Sequence, residues 1–140
     1  MVSMIKEHYI THLQENGYKC TPQRSVILSY FCQHKNKLIS ASTVRNDLEK
    51  DNWSISLDTI YRSLSLFSDV GLLESTSLNG KRLFCLKNKL DHQNMFICTQ
   101  CRTVKPLNFC PKGIVQSFFN DCLITSHKFE VYGLCPSCCK

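Results

Sequence analysis

Apolar residues along the first 90 positions recur mostly at one-turn spacing, which predicts helices before it predicts anything else. Ile5, Tyr9 and Leu13 define a first helix over roughly residues 3–16, with Gly17 as a C-terminal cap. Thr21 followed by Pro22 reads as a helix start, a side-chain oxygen for an orphan N–H and then a residue with φ preset. Val26, Ile27, Tyr30 and Phe31 give that second helix its buried face. A third begins after Ser40, with Ala41, Val44 and Leu48 on one side and Arg45, Glu49 and Lys50 on the others. Ser54 or Ser56 caps a fourth, in which Ile60, Leu64 and Phe67 face inward and Thr59, Tyr61, Arg62, Ser65 and Ser68 form a polar outer face. After Gly71 the period changes. Leu72–Leu78 and Arg82–Leu86 read as strands joined by Asn79-Gly80, a dipeptide suited to the positive φ of a type I′ turn. Helices followed by a hairpin describe a winged helix, and the short gap at residues 51–55 matches a helix-turn-helix.

The last 50 residues have a different texture. Met95–Ile97 and Thr103–Leu107 are short strand candidates around Cys98 and Cys101, and residues 113–122 read as a helix carrying Ile114, Val115, Phe118 and Phe119. Ser126–Tyr132 alternates, His127, Phe129 and Val131 opposing Lys128, Glu130 and Tyr132, which predicts a strand. So small an α+β unit has a marginal core, and a metal staple or a partner subunit is expected there. The fold class is therefore α+β: a winged helix-turn-helix domain over residues 1–88, then a small α/β unit over residues 89–140.

Composition narrows the class without deciding it. With 140 residues, 43% hydrophobic and 20% charged, the chain suits one domain or two small ones and not a disordered or low-complexity protein. No run approaches the roughly 18 apolar residues of a membrane span, and Met1–Tyr9 carries Lys6, Glu7 and His8 where a signal peptide would be apolar, so a soluble cytoplasmic protein is expected. A net charge of +6 permits a nucleic-acid partner but is common without one.

Cysteine is the outlying residue: ten in all, with Cys20, Cys32 and Cys85 before residue 91 and seven after it. Cys98-Thr-Gln-Cys101 and Cys135-Pro-Ser-Cys138 are two Cys-x-x-Cys knuckles 33 residues apart, the arrangement that folds two turns around one tetrahedral zinc at about 2.3 Å. Cys139 competes with Cys138 as fourth ligand. A redox use would want such a pair to open a helix in a βαβ unit, a context not seen here. Cys20, Cys32, Cys110 and Cys122 read as buried apolar residues. On the fourth helix, Arg62 is suited to guanine or phosphate and Tyr61 to a thymine methyl or phosphate, with Thr59 beside them. Lys19, Gln23 and Arg24 at the second helix's start and Lys81 and Arg82 at the hairpin tip could touch the DNA backbone.

The segments Cys20-Thr-Pro-Gln-Arg24, Ile55-Ser-Leu-Asp-Thr-Ile-Tyr-Arg62, Phe96-Ile-Cys-x-x-Cys101 and His127-Lys-Phe-Glu-Val-Tyr-Gly-x-Cys-x-x-Cys138 resemble the ferric uptake regulator family, most of all its zinc uptake regulator branch, over residues 5–138. The resemblance implies a winged helix-turn-helix DNA-binding domain over residues 1–88 joined to a small α/β dimerisation domain over residues 89–140 with a four-cysteine zinc site, a homodimer on a palindromic operator in double-stranded DNA, repression strengthened by a metal corepressor, and no enzymatic activity. It maps DNA contacts onto Lys19, Tyr61 and Arg62, and a structural zinc onto Cys98, Cys101, Cys135 and Cys138. The pattern is broken before the first knuckle, where Asp91-His-Gln-Asn-Met95 keeps only His92 as imidazole, and Gln93 and Met95 stand where the family has sensory histidines. Arg102 replaces a usual glycine, and Pro106 falls near a usual acidic ligand. Two readings of the rest stay open. Asp58, Cys85, His92 and His127, completed by Met95 or Asp91, could hold a second, regulatory metal; or Asp58 serves its helix's first turn, Cys85 packs and His127 is a strand residue. The alternatives to a metal-responsive repressor are a redox-responsive or metal-independent regulator using its thiols, and a zinc-ribbon adaptor without DNA affinity.

Overall fold

A computed structural model of the chain describes residues 2–87 and 94–140. It divides into two compact units, Met1–Leu90 and Asp91–Lys140; the domain boundary expected at 88/89 lies outside the described residues.

In the first unit the helices are α1 (Val2–Glu15), α2 (Pro22–Gln33), α3 (Ala41–Lys50) and α4 (Leu57–Asp69), with β1 (Ile39–Ser40) between α2 and α3. Each of the last three helices starts on a hydroxyl. Thr21 accepts the Arg24 N–H, Ser40 that of Thr43 and Ser56 that of Thr59, each at 3.2 Å, so Ser56 and not Ser54 opens α4. The apolar faces converge on one core in which Leu13, Ile27, Phe31, Val44, Ile60, Leu64, Phe67 and Phe84 are wholly buried. The hairpin strands β2 (Leu73–Leu78) and β3 (Lys81–Leu86) pair from Leu73↔Leu86 to Leu78↔Lys81. Asn79 at φ 53° and Gly80 at φ 78° make the turn. The sheet order is β1-β3-β2, so the two residues before α3 close the wing against the helices, a strand too short for alternation to signal.

The second unit is a three-stranded sheet in the order β5-β4-β6, with β4 (Asn94–Cys98), β5 (Val104–Pro106), α5 (Lys112–Phe118) and β6 (Phe129–Gly133). β4 runs antiparallel to β5 and parallel to β6, in register from Asn94↔Phe129 to Cys98↔Gly133. A Cβ on Gly133 would stand 3.1 Å from the Phe96 ring, so this edge wants glycine. Three expectations are corrected here. α5 stops at Phe118, four residues early, because Phe119 leaves helical geometry and the Gln116 amide donates to the Phe119 and Cys122 carbonyls. Cys122 is exposed and Cys20 and Cys110 are half-buried; only Cys32 of those four is buried. In β6 the alternation does not sort inside from outside, since Val131 and Tyr132 are both exposed. Among the described residues no helix is long and apolar enough to cross a membrane.

Candidate metal centre and nucleic-acid interface

The first knuckle is a tight turn at the end of β4. The Cys98 N–H donates to Thr103 O and the Arg102 N–H to Cys98 O, both at 2.9 Å, with Arg102 at φ 65°. Left-handed backbone is where glycine is the least strained residue, which explains a glycine there in the resembling family. The second knuckle follows β6, the Cys138 and Cys139 N–H groups both donating to Cys135 O at 2.9 and 3.0 Å. Parallel pairing of β4 with β6 delivers the two turns to the same end of the sheet, where the Thr99 N–H donates to Gly133 O at 2.9 Å and the Cys135 N–H to Cys98 Sγ at 3.4 Å.

The sulfurs of Cys98, Cys101, Cys135 and Cys138 all lie within 4.8 Å of one another, and those of Cys101 and Cys135 are 3.7 Å apart. Tetrahedral zinc with bonds of about 2.3 Å has sulfur–sulfur edges of about 3.8 Å, so the group fits the ion. Cys139 is exposed and its thiol faces Pro136 O, which leaves Cys138 as the cluster's fourth member. Neither knuckle opens a helix, as the redox use would want. Backbone N–H groups, that of Cys101 foremost and then that of Cys135, draw the Cys98 thiol down to about 6, and the Thr103 hydroxyl lowers Cys101. Cys138 is pushed up to about 12, chiefly by its hydrogen bond to the Cys135 thiol. The Cys98 and Cys101 shifts favour thiolate, whereas Cys138 keeps its proton until a metal displaces it, so metal binding releases protons and is weakened in acid. Zinc affinity measured against a competing chelator is therefore expected to weaken as pH is lowered, with protons released on binding; an affinity independent of pH would refute it.

On α4, Arg62 and Tyr61 point to solvent, the Arg62 side chain 80% and Tyr61 41% exposed. Arg62 Nη2 lies 2.8 Å from Asp58 Oδ2, one turn earlier. Thr59 is half-buried and its hydroxyl accepts from Ser56 at 3.0 Å. Lys19 and Gln23 are exposed, whereas Arg24 donates to Lys19 O at 2.7 Å and braces the start of α2. At the wing tip Lys81 and Arg82 are exposed, with Arg82 4.9 Å over the Phe84 ring.

Among the described residues the four-cysteine group is the one cluster of three or more His, Cys, Asp or Glu ligands. His92, Gln93 and Asp91 lie outside the described residues. Asp58 is engaged with Arg62, Cys85 is buried in β3 opposite Glu74, and Met95 is buried in β4. His127 is half-buried with Nε2 3.3 Å from Cys110 Sγ, a pairing 17 residues apart that no local spacing announces.

Residues 15–132 match the family model described as "Ferric uptake regulator family". A ferric uptake regulation protein of Staphylococcus epidermidis is 38% identical over 128 residues, 91% of this chain and 92% of that one. One of Staphylococcus aureus strain Mu50 is 37% identical over 126 residues, 90% and 92% of the two. Among solved structures, the Vibrio cholerae ferric uptake regulator superposes with a TM-score of 0.68 at 27% identity, over 89% of this chain and 98% of its own. A zinc uptake regulator solved with zinc and DNA reaches 0.76 at 20% identity, over 98% and 94%, a likeness of fold.

Proposed function

Because the chain belongs to the ferric uptake regulator family, whose members are transcription regulators and not enzymes, we propose that it is a metal-responsive repressor of metal-homeostasis genes, acting in the cytoplasm as a homodimer on a palindromic operator. Residues 1–88 read the DNA and residues 89–140 dimerise. The observation that carries this reading is α4: its apolar side is consumed by the core while Tyr61 and Arg62 are exposed, and the hairpin that follows carries exposed Lys81 and Arg82 at its tip, the order of a recognition helix and a wing. Lys19, Gln23 and the Arg24-braced turn add backbone contacts, which set register without reading sequence.

Cys98, Cys101, Cys135 and Cys138 hold the structural zinc. Zinc has no redox chemistry and here supplies a cross-link; the chain's part is to offer four sulfurs already near a tetrahedron and two turns that aim them. Dimerisation is supported by α5, where Ile114, Val115 and Phe118 are exposed and are followed directly by exposed Phe119, apolar surface a lone subunit would leave in water. A solved zinc uptake regulator of the same fold, carrying zinc and DNA, supports the pairing of these two ligands in one molecule.

The test is selection from a randomised pool of DNA duplexes by the zinc-loaded protein. Enrichment of an inverted repeat is expected, bound by two chains per duplex, with affinity falling steeply and linearly in log salt. A pool that yields no enriched sequence refutes the reading.

A further inference from the structure

Asp58 is an odd residue to find where it is. It lies in the first turn of α4, the part of a recognition helix that enters the groove first, and its side chain is 71% exposed. A carboxylate there faces phosphates on approach, and an exposed ion pair adds little to stability. Yet its Oδ2 lies 2.8 Å from Arg62 Nη2. Asp58 precedes Arg62 by one helical turn, the favourable order for such a pair. The guanidinium is thereby held beside a carboxylate of its own helix while its side chain stays 80% exposed.

From this pairing, and resting on the reading of α4 as the DNA-reading helix, we infer that Asp58 is a specificity-determining positioning residue: it withholds Arg62 from phosphates and releases it to a guanine edge. A phosphate offers Arg62 little that the carboxylate does not already give, and it brings a negative charge against Asp58. A guanine offers two acceptors in the plane of the fork with no net charge, so it can add to the Asp58 pair in place of breaking it. The carboxylate thus acts against wrong sites more than it acts for the right one.

The test compares the zinc-loaded wild type, Asp58→Asn, Arg62→Ala and the double variant on two duplexes, the one enriched from the randomised pool and one of shuffled sequence. On the shuffled duplex Asp58→Asn is expected to bind more tightly and to steepen the slope of log affinity against log salt by about 1.8, one more phosphate neutralised by each subunit of the dimer. Its ratio of enriched to shuffled affinity falls. In the Arg62→Ala background, Asp58→Asn leaves that ratio where it was. A helix merely destabilised by losing the pair would weaken both duplexes and leave the slope alone. Equal changes on both duplexes, or an effect on the ratio that persists without Arg62, would overturn the inference while the repressor reading stands. A pool from which the wild type enriches nothing removes that reading and this inference together.

Discussion

Removing zinc, by exhaustive chelation or by Cys101→Ser, is expected to unfold residues 94–140 and to abolish dimerisation and DNA binding together. Magnitudes make this the largest effect. The second unit buries only Met95, Ile97 and Val104 among its large aliphatic side chains, each contributing about 1.5–3 kcal/mol. α5 buries nothing. A structural zinc on thiolates contributes about 10–16 kcal/mol at neutral pH, so the ion and not the core decides whether this unit is folded. The first unit is independent of it, with eight or more fully buried side chains of its own. Trp53, the single tryptophan, lies in the turn between α3 and α4 and reports that unit alone. Chelation should therefore leave Trp53 fluorescence unchanged while sedimentation shows monomers and the far-ultraviolet signal of the sheet is lost. A metal-free protein that stays dimeric would contradict the whole scheme.

Arg62→Ala is expected to weaken binding to the enriched duplex by about tenfold to a hundredfold for each half-site, the value of one bidentate contact to guanine. Both half-sites lose it in a homodimer, so the factors multiply. Arg62 is 80% exposed and outside the core, so thermal stability should move by no more than about 0.5 kcal/mol. Fluorescence anisotropy with the enriched and shuffled duplexes checks it. An equal loss on both would make Arg62 a phosphate contact and not a base reader.

The first unit was legible in the sequence because each cue is local. Thr21-Pro22, Ser40 and Ser56 cap their helices through side-chain oxygens, and Asn79-Gly80 tolerates the positive φ of its turn. Ile60, Leu64 and Phe67 face the core at helical spacing, as expected. The pairing of Asp58 with Arg62 carried a readable signal too, acid before base at i and i+4. In the second unit the knuckles and the existence of three strands and a helix were legible, but the bounds of α5 and β6 were not. Its strands sit at the ends of a parallel pair whose partner lies far along the chain, so neither the later start of β6 at Phe129 nor the truncation of α5 could be read locally. Exposure misled for a related reason. Ile114, Val115 and Phe118 look like core in a sequence, and a single subunit has no core to receive them. Choosing Cys138 over Cys139 needed the turn geometry, in which both amides share one carbonyl but only one thiol turns toward the cluster.

The parallel union of β4 with β6 also governs the order of assembly. The wing hairpin closes over a two-residue turn, whereas β4 and β6 meet only after the intervening chain has been gathered, Cys101 and Cys135 being 34 positions apart. Such distant pairing pays its loop entropy before any contact compensates, so within one chain it follows the wing hairpin in order of formation. When zinc is restored to stripped protein, the first unit is therefore already in place, and the second is gathered around the ion from its two distant turns.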